Sequence, residues 1–199
     1  MVVIIPIDRK YNEINLKELL PLFTELDYFV FYGTLLGLIR ENELLEYDDD
    51  IDFLINKEHL THVVELFYNR YNKNESSLII PIHSVNQHMY FKQATSVRDN
   101  VRTFVDMTFF EKDDEENTII DFNSYKNSPQ NVENHFRISQ DLIYPVQKRY
   151  FKKYGYIKVP AQPIKCLEIL YGNNWMIPWS KKNYDEVLVN GVPRLIYHD

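Results

Sequence analysis

Hydrophobic and polar positions change period several times along the chain, and each change predicts an element. Leu16, Leu19, Leu20, Phe23 and Leu26 recur at helical spacing and predict an amphipathic helix, with Pro21 near its first turn or kinking it. The unbroken apolar run Tyr28 to Tyr32 predicts a strand, and the leucine-rich stretch Thr34 to Arg40 a short helix. Glu41 to Tyr47 has no period and reads as a loop. A second strand follows over Ile51 to Ile55. Leu60, Val63, Val64, Phe67 and Tyr71 then give the clearest helical pattern, with Asn56 placed to cap it.

The middle holds short runs rich in apolar, aromatic and β-branched residues over Ser77 to Ile82, Met89 to Ala94, Thr103 to Phe110 and Thr118 to Phe122, which predict a meander of strands. Asn123 to Gln140 is polar and reads as loop, with Ser128-Pro129 as its marker. Tyr144 to Val159 is basic and aromatic and predicts a hairpin turning at Tyr154-Gly155. Gln162 to Tyr171 predicts a helix stopped by Gly172. Together these make an α+β (mixed α/β) chain with helices flanking a mixed sheet. At 199 residues it is expected to be one domain, with a core over about 10–125 and a small C-terminal subdomain over about 140–199.

Composition adds exclusions. A net charge of -7 argues against general nucleic-acid binding. Cys166 is the single cysteine, so no intramolecular disulfide exists, and its helical apolar setting reads as core. The start, Met1 to Ile7, is short, uncharged and broken by Pro6, unlike a secretory signal, and no apolar run approaches the roughly 20 residues of a membrane span. The expected location is cytoplasmic.

The chemistry concentrates in one place. Asp48, Asp49, Asp50 and Asp52 form a short acidic run that enters the strand Ile51 to Ile55. Side chains at i and i+2 of a strand share a face about 7 Å apart, so Asp50 and Asp52 can reach one cation while Ile51 and Phe53 enter the core. Oxygen ligands with no His or Cys nearby suit Mg²⁺ or Mn²⁺ better than Zn²⁺. Upstream, Gly33-Thr34 stands at a strand-to-helix turn, where free N–H groups favour a phosphate. Asp106 interrupts the apolar strand Thr103 to Phe110, where an unpartnered carboxylate is costly and a shared metal would offset that cost. Asp48 or Asp49 could act as general base, ligate a second cation or order the loop. Arg40 could clamp a diphosphate, or simply pair with Asp48 or Glu46. Asp113 to Glu116 reads as a solvated loop. His59 and His62 share helical spacing without a third ligand, and Tyr171 and Trp175 could stack a base or sugar, enclose a choline, or pack in the core.

Gly33 to Gly37 (GTLLG), then Arg40, then Tyr47 to Asp52 (YDDDID) resembles the signature of the LicD family, which includes bacterial phosphocholine transferases and fukutin-related proteins. A second block, Val159-Pro160, Pro163, Leu167, Leu170 to Trp175 (LYGNNW) and Pro178, is similar to the family's closing pattern. Thr34 stands where the wider nucleotidyltransferase pattern has serine or glycine, and residues 35–49 make a longer gap before the Asp-x-Asp pair, as in LicD-type proteins. The resemblance implies a nucleotidyltransferase-like fold. It also implies transfer of phosphocholine or a polyol phosphate from a CDP-linked donor to a glycan or lipid-linked sugar. Asp106 would be the third metal ligand, after Asp50 and Asp52, and Asp48 would join these three as a catalytic residue. Gly33, Thr34, Arg40 and Lys148, which follows Tyr144-Pro145, would hold the donor. Two other readings are a nucleotidyltransferase that releases pyrophosphate and a non-catalytic binding module on the same scaffold. Without a signal or anchor, unlike the fukutin-related members, the chain would act on an intracellular intermediate in polysaccharide biosynthesis.

Overall fold

The computed structural model describes residues 9–46, 48–72, 78–79, 91–99, 101–121, 136–178, 184–189 and 192–197. Tyr47, the loop marker Ser128-Pro129, and His83, His88, His135 and His198 lie outside the described residues.

The chain opens with α1 (Arg9–Leu19), followed by β1 (Tyr28–Val30), α2 (Tyr32–Arg40), β2 (Asp50–Asn56) and α3 (Leu60–Phe67). The first helix differs from the sequence expectation. It begins earlier and stops at Leu19, because Pro21 lacks an N–H and disfavours helical backbone at Leu20. Leu22 and Phe23 instead donate to the Leu19 carbonyl in a tight turn that still buries Phe23 and Leu26. Asn56 does cap, through a single 3-10 turn: its side chain accepts from the Glu58 N–H at 3.1 Å, and α3 follows.

Then come β3 (Leu78–Ile79), β4 (Phe91–Arg98), β5 (Val101–Asp113), β6 (Thr118–Asp121) and β7 (Phe136–Ser139). These pair antiparallel in sequence order, as expected of a meander. β7 falls in a stretch expected to be loop, and Ile138 is buried there against β6. The decisive feature is the pairing of β2 with β5. It is parallel, the seven-stranded sheet runs β1-β2-β5-β4-β3, and its register sets Asp52 beside Asp106. A parallel pair needs a long crossover, supplied here by α3 and the chain through β4.

α4 (Gln140–Ile143), the hairpin β8 (Gln147–Phe151) with β9 (Gly155–Val159), and α5 (Pro163–Tyr171) complete the region around the sheet. Gly155 adopts φ 82, a left-handed geometry that suits glycine at the hairpin turn. Gly172 closes α5 at φ 79, its N–H donating to the Glu168 carbonyl at 2.8 Å. A second antiparallel pair, β10 (Tyr184–Val189) with β11 (Val192–Tyr197), lies where no strands were expected.

One buried cluster joins the sheet to the β8–β9 hairpin and α5. Phe23, Phe29, Phe53 and Phe67 are fully buried, as are Phe151, Ile157, Cys166 and Leu167 from the C-terminal third. Phe23 meets Phe53 edge-on at 5.1 Å and Phe29 meets Phe31 at 5.6 Å, contacts worth roughly 1 kcal/mol each beyond burial. Among the described residues, no helix is long and apolar enough to cross a membrane.

Candidate active site

The acidic run is held by its backbone, which leaves its carboxylates to one another. Asn12 of α1 is 1% exposed, and its amide donates to the carbonyls of Asp48 at 3.0 Å and Asp50 at 2.9 Å. The Phe104 N–H donates to the Asp49 carbonyl at 2.7 Å. Gly37 lets the preceding loop lie against α2: a Cβ there would stand 2.8 Å from the Glu43 carbonyl and from the Leu45 nitrogen. With these anchors β2 starts at Asp50, and alternation puts Asp50 and Asp52 on one face beside Asp106 of β5. One carboxylate oxygen from each of Asp50, Asp52 and Asp106 lies within 4.8 Å of the others. Oxygens of Asp48, Asp49 and Asp50 form a second such group.

The start of α2 closes over this face. The Thr34 N–H donates to Asp52 Oδ2 at 3.2 Å, and the Asp52 N–H donates to Thr34 Oγ1 at 2.7 Å. Thr34 is 2% exposed, so in this state it positions Asp52 rather than offering a free phosphate site. Gly33 is in the cluster itself: a Cβ would sit 2.7 Å from Asp48 Oδ2 and 3.5 Å from Asp52 Oδ2. The residue before it, Tyr32, takes φ 45, a left-handed backbone that costs a non-glycine residue about 1–3 kcal/mol. Its hydroxyl donates to the buried Asp121 of β6, which secures the turn.

Electrostatics make this an unusual set of acids. Burial first, then the neighbouring Asp50 charge, pushes the Asp48 carboxyl up to about 7. A side-chain hydrogen bond joins Asp48 and Asp50, so the proton held by Asp48 is shared with its neighbour. Burial and the Asp49 charge raise Asp50. Asp52 is pushed well above the usual carboxylate range by burial and by Asp50 and Asp48. The Gln93 amide donates to Asp106 Oδ1 at 2.8 Å, orienting the third carboxylate. Hard oxygen donors that keep protons when crowded are the setting a divalent cation relieves, so this set fits Mg²⁺ or Mn²⁺.

The other predicted residues divide. Arg40 ends α2 at the end away from Gly33. Its guanidinium is engaged by Glu41 at 2.7 Å and by the Trp175 carbonyl at 3.5 Å, not by Asp48 or Glu46. Lys148 does not join the acids. It pairs in register with Lys158, whose ammonium donates to the Thr24 and Leu26 carbonyls near the start of β1, whereas the carboxylates gather beyond its other end. Trp175 is 8% exposed and belongs to the core, so it offers no stacking platform. Tyr171 is 43% exposed; burial of its hydroxyl end, then the charges of Asp52, Asp48 and Asp50, push its phenol up, and Arg40 opposes this. Tyr171 therefore feels the charge of both the acids and Arg40. His59 is structural, its Nε2 accepting the Asp27 N–H at 3.0 Å. Asp113 to Glu116 forms the exposed β5–β6 turn.

Sequence reasoning missed Asn12 and the Tyr32–Asp121 pair. An asparagine in a helix carries no local mark of the loop it anchors. Asp121 at the end of an apolar strand was the same signal that singled out Asp106, a carboxylate among residues that enter the core.

The chain matches the profile of the LicD/FKTN/FKRP nucleotidyltransferase domain over residues 25–162. No curated protein matches it. Among solved structures, the lincosamide antibiotic adenylyltransferase LnuA, crystallised with lincomycin bound, is similar at 12% identity and a TM-score of 0.49. That alignment covers 86% of this chain and 89% of the other, a likeness too distant to bear on chemistry. The matched span contains Gly33, Thr34, the whole acidic run and Asp106, and the chain belongs to the LicD/FKTN/FKRP family of nucleotidyltransferase-domain transferases.

Proposed function

We propose that this transferase moves a phospho-alcohol, phosphocholine or a polyol phosphate, from a CDP-linked donor to a glycan or lipid-linked sugar hydroxyl, with CMP as leaving group. The observation that carries the reading is the meeting of Asp50, Asp52 and Asp106 on adjacent strands, oxygens within 4.8 Å, inside a LicD-type domain. These three would hold Mg²⁺ or Mn²⁺, which when bound supplies positive charge to the donor diphosphate. Gly33 keeps the approach to the carboxylates open, because any side chain there would meet Asp48. Thr34 fixes Asp52 through two reciprocal hydrogen bonds. Arg40, whose charge reaches Tyr171, would balance the donor's second phosphate, and the partly exposed Tyr171 would meet the donor's alcohol or base. Asp48, whose carboxyl is pushed up to about 7 by burial and the Asp50 charge, would take the proton of the acceptor hydroxyl. Catalysis would then rest on positioning and charge.

The test is incubation with a panel of CDP-alcohols and Mg²⁺, with products read by mass spectrometry. Release of CMP together with a phosphodiester-modified acceptor is the expected result. Consumption of CTP or ATP with release of pyrophosphate would overturn it in favour of nucleotidyl transfer. Asp52→Asn should abolish turnover without unfolding the chain, and full activity in excess EDTA would refute the metal.

A further inference from the structure

The β8–β9 hairpin carries the densest positive charge among the described residues. Residues 147–158 read QKRYFKKYGYIK, five basic residues and no acid, in a chain of net charge -7. The register sorts them by face. Phe151, Ile157 and Val159 are buried, while Lys148 with Lys158 and Tyr150 with Tyr156 are cross-strand pairs on the opposite, outward face.

Two features of this face are costly unless something uses them. Like charges placed directly opposite across an antiparallel pair are destabilising, and Lys148 faces Lys158. Burial and the Lys148 charge also push the Lys158 ammonium below its usual range. Tyr150 and Tyr156 are 61% and 68% exposed, their rings 5.3 Å apart at 62°. Two large aromatic rings left in water beside the exposed Lys148 and Lys152 mark a surface that recognises a ligand with both apolar faces and negative charge.

The hairpin also leads to the site. At its tip the Tyr154 hydroxyl accepts the Leu44 N–H and donates to Glu13, each at 3.1 Å, and Lys153 pairs with Glu13 at 2.6 Å. Leu44 belongs to the loop that runs into Asp48. The hairpin thus extends from the start of β1, where Lys158 meets the Thr24 and Leu26 carbonyls, to the loop that presents the acids.

We infer that the outward face of this hairpin, formed by Lys148, Tyr150, Lys152 and Tyr156, is a docking track for the acceptor, and that the acceptor is an anionic, phosphate-bearing glycan. Sugar rings present C–H faces that pack on single tyrosine rings, and phosphates along the chain meet the lysines. The tyrosines, inclined at 62° to each other, leave no parallel slot for successive nucleic-acid bases, whose binding relies on stacked platforms. Hydroxyl-tipped rings without exposed aliphatic neighbours on this face also differ from a membrane-inserting edge.

The inference rests on the reading of the protein as a glycan-modifying transferase, and its test is independent of turnover. Binding of phosphorylated dextran and of neutral dextran is measured in EDTA without donor, for the wild type and for Asp52→Asn. Both proteins should bind the phosphorylated polymer, with affinity falling as salt rises, and neither should bind neutral dextran appreciably. The double variant Lys148→Glu/Lys152→Glu should weaken binding about tenfold or more. Tyr150→Ala/Tyr156→Ala should weaken it as well, which charge alone does not explain, and unchanged melting temperatures show that the fold survives. Binding unaffected by both double variants would overturn the track. Tighter binding to oligo(dT) or to phosphatidylglycerol vesicles than to the phosphorylated dextran would overturn the glycan. Loss of CMP release with polymer binding intact would fault the catalytic reading alone.

Discussion

Replacing Asp48 with asparagine tests how the acids coexist. Asp48 is shifted from 3.8 to about 7 by burial and the charge of Asp50. A pKa unit is about 1.36 kcal/mol, so three units correspond to about 4 kcal/mol of pH-dependent stability at most. The folded pKa is raised, so this stabilisation is present in full below about pH 4. It is lost as pH rises through about 7, because the unfolded chain has released the proton while the folded chain still holds it. Asp48→Asn keeps a donor for the hydrogen bond to Asp50 and abolishes the titration. For a chain of this length, about 4 kcal/mol corresponds to roughly 10 °C in melting temperature. In metal-free buffer the wild type and Asp48→Asn should melt together near pH 4, and the variant should melt several degrees higher at pH 8. Adding Mg²⁺ at pH 8 should narrow the gap by stabilising the ionised wild-type site. A melting difference that does not change between pH 4 and 8, measured by differential scanning fluorimetry, would refute the account of the cluster.

Gly33→Ala places a methyl 2.7 Å from the end of the Asp48 side chain, which can swing aside, so the melting temperature should hold within a few degrees while turnover falls about 100-fold, measured by CMP release. Gly37→Ala meets backbone at 2.8 Å on two sides, so it should destabilise by about 1–3 kcal/mol in urea unfolding as well as lower activity. Asn12→Ala leaves two carbonyls of the acidic loop without their donor and should cost about 2–4 kcal/mol, whereas Asn15→Ala, whose amide bonds the Thr103 hydroxyl, should spare Mg²⁺ affinity in titration calorimetry. Asp106→Asn should remove most activity while its metal-free melting temperature holds or rises, because a crowded carboxylate is neutralised and the Gln93 bond is kept.

The sequence by itself determined the local parts of the site. Alternation about Ile51 and Phe53 dictates that Asp50 and Asp52 share a face, and the apolar strand around Asp106 marks a carboxylate that needs partners. The Gly33-Thr34 turn, the Gly172 stop and the Gly155 hairpin were legible because glycine and strand-to-helix junctions act within a few residues. Even so, local pattern placed α1 wrongly, since period alone does not register that Pro21 ends the helix rather than kinking it. It also could not see β7, β10 or β11, whose short segments gain stability only from a partner strand. Tertiary structure alone decided that β2 runs parallel to β5, which brings residues 52 and 106 side by side across a long crossover. It also sent Trp175 to the core and Arg40 to Glu41, and chose Asn12 as the anchor of the acidic loop. Those outcomes depend on which distant surfaces are buried together, and burial is a property of the whole fold that no window of sequence contains.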